Sequence, residues 1–378
     1  DLPGIDLTGF MGGWWAGLSV LHTLFSLEHN AICRMLRQTY ARDPRNNLPW
    51  TDEALFQIAR LINAALMSKI HTVEWTPGIL SMPIMKVALE ANWWGVLGPN
   101  IKRQFGRIAE SEAISGILGS IRDHHGVPFG FTEEFVSIYR LHPLIPDVFR
   151  FQSLDDPLEV FTLQGANGRS RIIETFDQIQ GRNTRRAIDA IRMRNVIYSF
   201  GIAHPGAVTL GNFPHFLRNY TSPDDPGQHL LDVATIDILR DRERGIPKYN
   251  RFRQLLRKPP IRSFEELNCR WAERLRVLYD NDVDKIDTMV GLFAEEPPPG
   301  FGFSDTAFRI FILMASRRLK SDRFYTNDYR EDIYTEAGLR WIDDENFGSV
   351  LRRHYPALGP ALDGVANPFS PWRAVHDA

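Results

Sequence analysis

Apolar residues recur every three to four positions along most of this chain, and this period constrains the fold more than any other feature of the sequence. Stretches in which apolar and polar residues alternate, as in half-buried strands, are scarce. The pattern therefore predicts a mainly α-helical protein. Helices are predicted over residues 15–40, 52–74, 83–94, 132–139, 168–176, 182–200, 230–242, 263–279, 283–293 and 305–319.

Nothing in the sequence divides these helices into separate units. The chain has 378 residues, of which 43% are hydrophobic, which is enough to bury a large core. No internal repeat, low-complexity tract or linker interrupts it. We therefore expect one domain over residues 1–378.

Charge and cysteine content exclude several classes of partner. Lysine and arginine number 44 against 46 acidic residues, so the chain has no strong field for nucleic acid, and none is expected as a partner. The two cysteines, Cys33 and Cys269, are too few for a disulfide framework and are not spaced as a metal pair. No disulfide partner is expected, and a reducing compartment is favoured.

One uncharged stretch, residues 7–27, is long enough to be considered as a membrane span. It contains four glycines and His22, and it continues into Glu28, Arg34 and Arg37 at helical spacing. We interpret it as a helix that is buried on all sides in a protein core. Because the chain also lacks a signal-peptide profile, the predicted location is cytoplasmic or peripheral to a membrane.

The segment 132–147 contains the most informative pair of residues, Tyr139 and His142. Three positions apart on a helix, two side chains share a face with Cβ atoms roughly 5 to 6 Å apart. This spacing places a phenol beside whatever the imidazole binds. From spacing alone, a buried tyrosine and a core histidine near a helix end are the favoured explanation, because both are common in protein cores.

The run Tyr-x-x-His-Pro-Leu-x-Pro-Asp that starts at Tyr139 resembles an element of the cyclooxygenases and the fatty-acid α-dioxygenases, in the animal heme peroxidase and cyclooxygenase superfamily. Other similar motifs follow in the expected order from about residue 15 to residue 355. The resemblance implies the mainly α fold of that superfamily. It also implies a bound heme b, with His142 as the proximal ligand of the heme iron and Tyr139 as the catalytic residue.

A second run, residues 69–77, contains an imidazole and a hydroxyl that can both donate hydrogen bonds to a carboxylate, on His71 and Thr76. It can also be read as an amphipathic helix that ends at Pro77, with both groups facing polar neighbours. This run is similar to the one that holds the fatty-acid carboxylate in the α-dioxygenases. The resemblance implies that His71 and Thr76 bind substrate.

A third run, residues 308–319, ends in Arg317 and Arg318. Two arginines in the last turn of a helix ordinarily interact with the helix dipole. Arginine also suits two-point recognition of a carboxylate better than lysine does. The resemblance places the carboxylate-binding arginine of the family at Arg318.

A fourth run, residues 232–250, alternates in charge, which is typical of a solvated helix face. It also resembles a signature of the whole superfamily. In related peroxidases the position of Asp237 is an asparagine that hydrogen-bonds the proximal imidazole. A carboxylate at that position would make His142 a stronger donor to iron, so Asp237 is predicted to assist heme binding.

Two family features are missing. The distal histidine and the calcium-binding loop precede residue 15 in the family, so calcium is expected only through an upstream segment that is not in this chain. The position of the distal arginine is Gly12 here.

The predicted function is heme-dependent oxygenation of a fatty acid. The resemblance implies that a hydroperoxide activates the heme, that a Tyr139 radical removes the α hydrogen, and that O2 adds to give a 2-hydroperoxy acid. Two alternatives stay open. One is a heme peroxidase that oxidises small reductants, and the other is a heme-binding or heme-less pseudoenzyme.

Overall fold

The computed structural model describes residues 13–40, 50–127, 129–165, 168–171, 175–221 and 230–376. Helices dominate the first half of these residues. In chain order they are α1 (Ala16–Tyr40), α2 (Asp52–Ile70), a π-helix (His71–Trp75), α3 (Thr76–Ile79), α4 (Pro83–Trp94), α5 (Gly98–Phe105), α6 (Glu112–Ser115), α7 (Glu133–Ile138) and a 3-10 helix (His142–Leu144).

The second half contains four short strands among further helices. Its elements are β1 (Thr162–Gly165), β2 (Gly168–Arg171), a 3-10 helix (Phe176–Gln178), α8 (Asn183–Ile191), α9 (Met193–Ile202), α10 (His215–Arg218), β3 (Tyr220–Thr221), β4 (Leu230–Leu231), α11 (Val233–Glu243), α12 (Tyr249–Leu255), α13 (Phe264–Leu267), α14 (Ala272–Leu278), a 3-10 helix (Val283–Lys285), α15 (Thr288–Ala294), α16 (Asp305–Ser321), α17 (Glu331–Tyr334), α18 (Glu336–Asp344), α19 (Phe347–His354), a 3-10 helix (Pro356–Leu358) and α20 (Gly359–Leu362).

The mainly α prediction is confirmed, but the predicted helix over residues 168–176 is wrong. Strands β1 and β2 form an antiparallel hairpin instead, with Gly165 opposite Gly168. Glycine is a poor helix former and is favoured in tight turns, so the backbone pairing prevails over the weak apolar period of this stretch. Strands β3 and β4 form a second antiparallel pair.

Several predicted helices are also interrupted. The helix predicted over residues 182–200 is divided into α8 and α9 at Arg192, whose φ of 71° is left-handed and cannot continue a helix. The helix predicted over residues 263–279 is divided into α13 and α14. Period alone does not locate such breaks, because the apolar residues on both sides still face the core.

The helices pack around three apolar clusters. One cluster contains Phe135, Ile138 and Phe311 and therefore supports the segment around Tyr139. A second, around α1, α8, α9 and α19, lines a cavity of 670 Å³. The third joins α1 to α2 and α18.

A buried charge network ties α1 to α18 and α19. The carboxylate of Glu28 is fully buried and accepts two hydrogen bonds from Arg353, one from the Trp341 indole and one from His354 Nε2 at 2.7 Å. A buried carboxylate is tolerated when its acceptor positions are filled in this way. The interpretation of residues 7–27 as a helix buried on all sides is wrong for the described part, because Leu18, Leu21 and Leu27 of α1 are exposed and only the opposite face is buried. Residues 7–12 lie outside the described ranges. No helix among the described residues is long and apolar enough to cross a membrane.

Candidate active site

The Tyr139 segment begins as a capped helix and ends in a tight turn. The Thr132 hydroxyl accepts a hydrogen bond from the Phe135 N–H and starts α7, which ends at Ile138. Tyr139 follows the helix, and His142 opens the next 3-10 helix, so the prediction that both stand on one helix is wrong. The reason is Pro143, which has no N–H to donate to the Tyr139 carbonyl as an α-helix would require. The turn between α7 and the 3-10 helix therefore sets the orientation of the Tyr139 and His142 side chains.

The Tyr139 phenol lies against His71. Tyr139 Oη and His71 Nε2 are 3.3 Å apart, although 68 residues separate them in the chain. Burial raises the pKa of Tyr139 and lowers the pKa of His71, so both groups are held neutral. The structure thus joins one residue from the predicted catalytic segment to one from the predicted carboxylate-binding segment.

His71 stands at the start of the π-helix, where α2 widens by one residue. The Thr76 N–H donates to the His71 carbonyl five positions back, which defines the π turn. The Trp75 indole stacks on the His71 ring with centroids 4.7 Å apart and planes 20° apart. The Phe311 ring lies 6.3 Å from the His71 ring. These contacts fix the direction of the imidazole.

Thr76 is close to His71 but uses its hydroxyl differently from the prediction. Its Oγ1 donates to the His71 carbonyl at 2.7 Å, and the residue is buried. A hydroxyl has a single proton, so Thr76 must rotate before it can donate to a carboxylate. Its predicted role in substrate binding stays a prediction.

A narrow cavity separates the π-helix from α4 and α16. His71 and Thr76 line it together with Phe311, Ala315 and Ser316. Its volume is 10 Å³, about the space of one water molecule. Binding of an acyl carboxylate there requires the surrounding side chains to move apart.

Arg318 lies in the last turn of α16, where its guanidinium faces aromatic rings. The guanidinium carbon is 5.3 Å from the centroid of Phe129 and 6.0 Å from that of Phe131. Phe131 stacks on Phe135 at 4.8 Å, and Phe135 stacks on Tyr139 at 5.1 Å. Burial, with a smaller effect of the Arg317 charge, lowers the pKa of Arg318 from its usual value. Arg318 is thus linked to Tyr139 through two stacked rings.

His142 faces Asp237 of α11. His142 Nδ1 and Asp237 Oδ2 are 3.7 Å apart, and both atoms are buried without a hydrogen-bond partner among the described residues. Arg140 holds the other carboxylate oxygen at 2.9 Å. Burial lowers the pKa of His142, as does the charge of Arg140, so the imidazole is neutral. A small shift would let Nδ1–H donate to Asp237, which leaves Nε2 to bind a metal.

A cavity of 670 Å³ lies beside the turn that His142 opens. Leu144 and Ile145 line it, as do Trp15, Trp75 and Trp372 from distant parts of the chain. Its volume is within the roughly 300 to 1,000 Å³ of cofactor pockets, which are mostly apolar. A neutral imidazole with a carboxylate behind it and an apolar cavity beside the same turn fit the requirements of heme.

Three residues near the site were not predicted from the sequence. Arg140 pairs with Asp237, Trp75 stacks on His71, and Phe311 lies parallel to the Tyr139 ring at 6.0 Å. Arg140 lies between Tyr139 and His142 in the sequence, and this position was the signal that could have identified it as part of the site. Trp75 and Phe311 resemble ordinary core residues, and only the tertiary packing distinguishes them.

Glu74, on the same π-helix, makes the stability of the protein depend on pH. Burial raises its pKa to about 7 from 4.5, while the Phe347 N–H and Lys69 oppose this change. When the pKa of a carboxyl is higher in the folded than in the unfolded protein, its contribution to stability is fully present below the unfolded pKa. For Glu74 this contribution is lost as the pH rises through about 7. We expect the free energy of unfolding to fall with rising pH by up to about 3 kcal/mol more in the wild type than in Glu74→Gln. Urea denaturation at pH 4.5 and pH 8 measures this difference, and parallel changes in both proteins would contradict it.

Comparison with known proteins gives a consistent result. The family model described as animal haem peroxidase matches residues 7–363. An alpha-dioxygenase PIOX of Oryza sativa subsp. japonica is 38% identical over 382 residues, which cover 99% of this chain and 60% of that protein. The chain therefore spans about three fifths of the length of this relative.

Two solved structures are also similar. The crystal structure of a fatty acid alpha-dioxygenase from Arabidopsis thaliana has a TM-score of 0.86 at 36% identity and covers 98% of this chain and 57% of that one. A variant of the Oryza sativa fatty acid alpha-dioxygenase crystallised with palmitic acid has a TM-score of 0.88 at 36% identity, with 99% and 60% covered. Both similarities extend over nearly the whole of this chain.

Proposed function

The chain belongs to the animal haem peroxidase family, and we propose that it performs the chemistry of a heme-dependent fatty-acid α-dioxygenase. The reaction adds O2 to the carbon next to a fatty-acid carboxylate and gives a 2-hydroperoxy acid. Substrate, O2 and a hydroperoxide activator are its partners.

His142 would hold heme b through Nε2, beside the 670 Å³ cavity that Leu144 and Ile145 line. Asp237 would accept the Nδ1 proton, which orients the ring and strengthens its donation to iron. Arg140, on the other oxygen of Asp237, would favour the ionised carboxylate, and it would moderate that donation by partly offsetting the negative charge. When bound and activated by a hydroperoxide, heme supplies the oxidising equivalent for Tyr139.

Tyr139 would remove the hydrogen. Its raised pKa keeps the phenol protonated at rest, so the radical forms only by oxidation. The Tyr139 radical then takes a hydrogen atom from the α-carbon, and the carbon radical combines with O2. Transfer of a hydrogen atom back from Tyr139 to the peroxyl group completes the product and regenerates the radical.

His71 and Arg318 would bind the carboxylate, with Thr76 assisting after rotation of its hydroxyl. The observation that carries the proposal is the 3.3 Å contact between His71 Nε2 and Tyr139 Oη. A carboxylate bound at His71 brings its own α-carbon, rather than a mid-chain carbon, to the phenol. Positioning of this kind is worth several kcal/mol of the reaction barrier.

Incubation of the heme-loaded protein with palmitate, O2 and a trace of hydroperoxide tests the proposal. We expect oxygen uptake and formation of 2-hydroperoxypalmitate or of the aldehyde one carbon shorter. Oxidation of guaiacol without oxygen uptake would support a peroxidase instead. If neither oxygen uptake nor guaiacol oxidation is observed, the result would support a pseudoenzyme.

Arg318→Ala is expected to weaken binding of palmitate by roughly 1.5 to 3 kcal/mol, because a hydrogen bond to a charged group is lost. Binding of hexadecanol, which has no carboxylate, should change much less. Calorimetric titration of both ligands measures the difference, and Arg317→Ala provides a matched control one residue away. Equal losses of binding affinity for palmitate and hexadecanol would contradict a contact between Arg318 and the carboxylate.

A further inference from the structure

We propose that His71 is a proton relay between Tyr139 and the substrate carboxylate, so that a bound acid promotes the oxidation of Tyr139. This inference rests on the proposed function and assigns His71 a role beyond anchoring. It predicts that the radical forms slowly in the absence of a carboxylate and rapidly in its presence.

The geometry at Tyr139 determines which atoms take part. Nε2 of His71 is the nitrogen that lies 3.3 Å from Tyr139 Oη. When Nε2 accepts the phenolic hydrogen bond, the ring proton is on Nδ1. The imidazole then has a donor to offer the carboxylate in the cavity that His71 and Thr76 line. One neutral ring thus bridges the phenol and the acid.

The surroundings hold the ring in this orientation. The Trp75 indole covers one face of the imidazole at 4.7 Å, and Phe311 approaches it at 6.3 Å. Two hydrogen bonds, from the N–H and the hydroxyl of Thr76, fix the backbone carbonyl of His71. A ring held this way can pass charge between its two nitrogens without turning.

Tyr139 is 39% exposed, but its ring lies between Phe135 and Phe311, so its oxidation is favoured by a nearby base. Loss of an electron without loss of the proton would leave a positive phenol in an apolar setting, at a large cost in solvation. The neutral His71 is in contact and can accept the proton. In the balanced step the Oη–H bond breaks and the proton moves to Nε2, while bound heme, oxidised beforehand by a hydroperoxide, would supply the one-electron oxidant.

This step leaves an imidazolium in the interior. A buried charge is costly unless an opposite charge pairs with it. Glu74, three residues further along the π-helix, accepts a hydrogen bond from the Phe347 N–H at 3.0 Å. The substrate carboxylate at Nδ1–H is therefore the group that can stabilise the imidazolium, which couples oxidation of Tyr139 to binding of the acid.

Rapid-freeze electron paramagnetic resonance of the heme-loaded protein tests the relay. The protein is mixed with hydroperoxide and either 2,2-difluoropalmitate, an acid without an α hydrogen, or hexadecanol. We expect the Tyr139 radical to form at least about tenfold faster with the acid than with the alcohol. A tenfold difference corresponds to only a small part of the free-energy cost of an unpaired buried charge. Equal rates with the acid and the alcohol would overturn the relay.

A variant provides an independent check. His71→Gln keeps a polar side chain but cannot accept a proton, so radical formation should be slow with both ligands. His29→Gln on α1, whose histidine bonds the Phe56 carbonyl away from the site, should behave as the wild type. Radical formation at the wild-type rate in His71→Gln protein with full heme content would also overturn the relay. If this variant does not fold, the comparison of acid and alcohol in the wild-type protein decides the question. A radical that persists in Tyr139→Phe would instead contradict the proposed function itself.

Discussion

Tyr139→Phe is expected to abolish fatty-acid oxygenation while peroxidase turnover remains. The substitution keeps the ring and its stacking on Phe135 but deletes the hydroxyl that carries the radical in the proposed mechanism. Stability should change by about 1 kcal/mol or less, since one neutral hydrogen bond to His71 is lost. An oxygen electrode with palmitate and a guaiacol assay measure the two activities separately.

A matched control distinguishes chemistry from packing. Tyr334 is fully buried, and its hydroxyl donates to the Phe324 carbonyl at 2.9 Å outside the site. Tyr334→Phe should keep oxygenation near the wild-type rate. Oxygen uptake at the wild-type rate in heme-replete Tyr139→Phe protein would contradict the role given to Tyr139.

His142→Ala is expected to remove or displace the Soret band. Loss of an outer-shell partner costs roughly 10- to 100-fold in affinity at metal sites, and loss of the axial ligand should cost more. His215→Ala is a suitable control, because His215 pairs with Asp147 of the same segment but is exposed. Visible spectra and heme titration measure the effect. An unchanged spectrum and unchanged heme content in His142→Ala would refute the ligand assignment.

The helical fold could be predicted because the apolar period is local information that packing preserves. Local departures of the backbone from regular helix could not be predicted from the sequence. The turn after Ile138 depends on the missing N–H of Pro143, and the π turn at His71 depends on a tertiary fit that the sequence does not report. Both events direct side chains of the site, so the orientation of Tyr139 and His71 had to come from the structure.

The candidate site followed from motifs rather than from spacing. Residues 71 and 139 belong to different runs, and nothing local in the sequence brings them to 3.3 Å. Asp237 was predicted beside His142 by resemblance, and the structure adds Arg140 as the second partner of its carboxylate. Arg318 was predicted as a carboxylate ligand, whereas its aromatic neighbours Phe129 and Phe131 come from a loop that periodicity does not describe.

Some expectations stay predictions. These are the single domain over residues 1–378, the calcium site in an upstream segment, and the individual roles of the site residues. Gly12, at the position of the distal arginine, lies outside the described residues.

Isotopic analysis of the product tests the central claim most directly. Palmitate with deuterium at both α positions is incubated with the heme-loaded protein under ¹⁸O₂, and the product is analysed by mass spectrometry. The account predicts a 2-hydroperoxy acid that retains one deuterium and carries two heavy oxygen atoms, since Tyr139 removes one α hydrogen and O2 adds at that carbon. A product oxygenated at a mid-chain carbon, or palmitate recovered with both deuterium atoms while the heme is turned over, would contradict it.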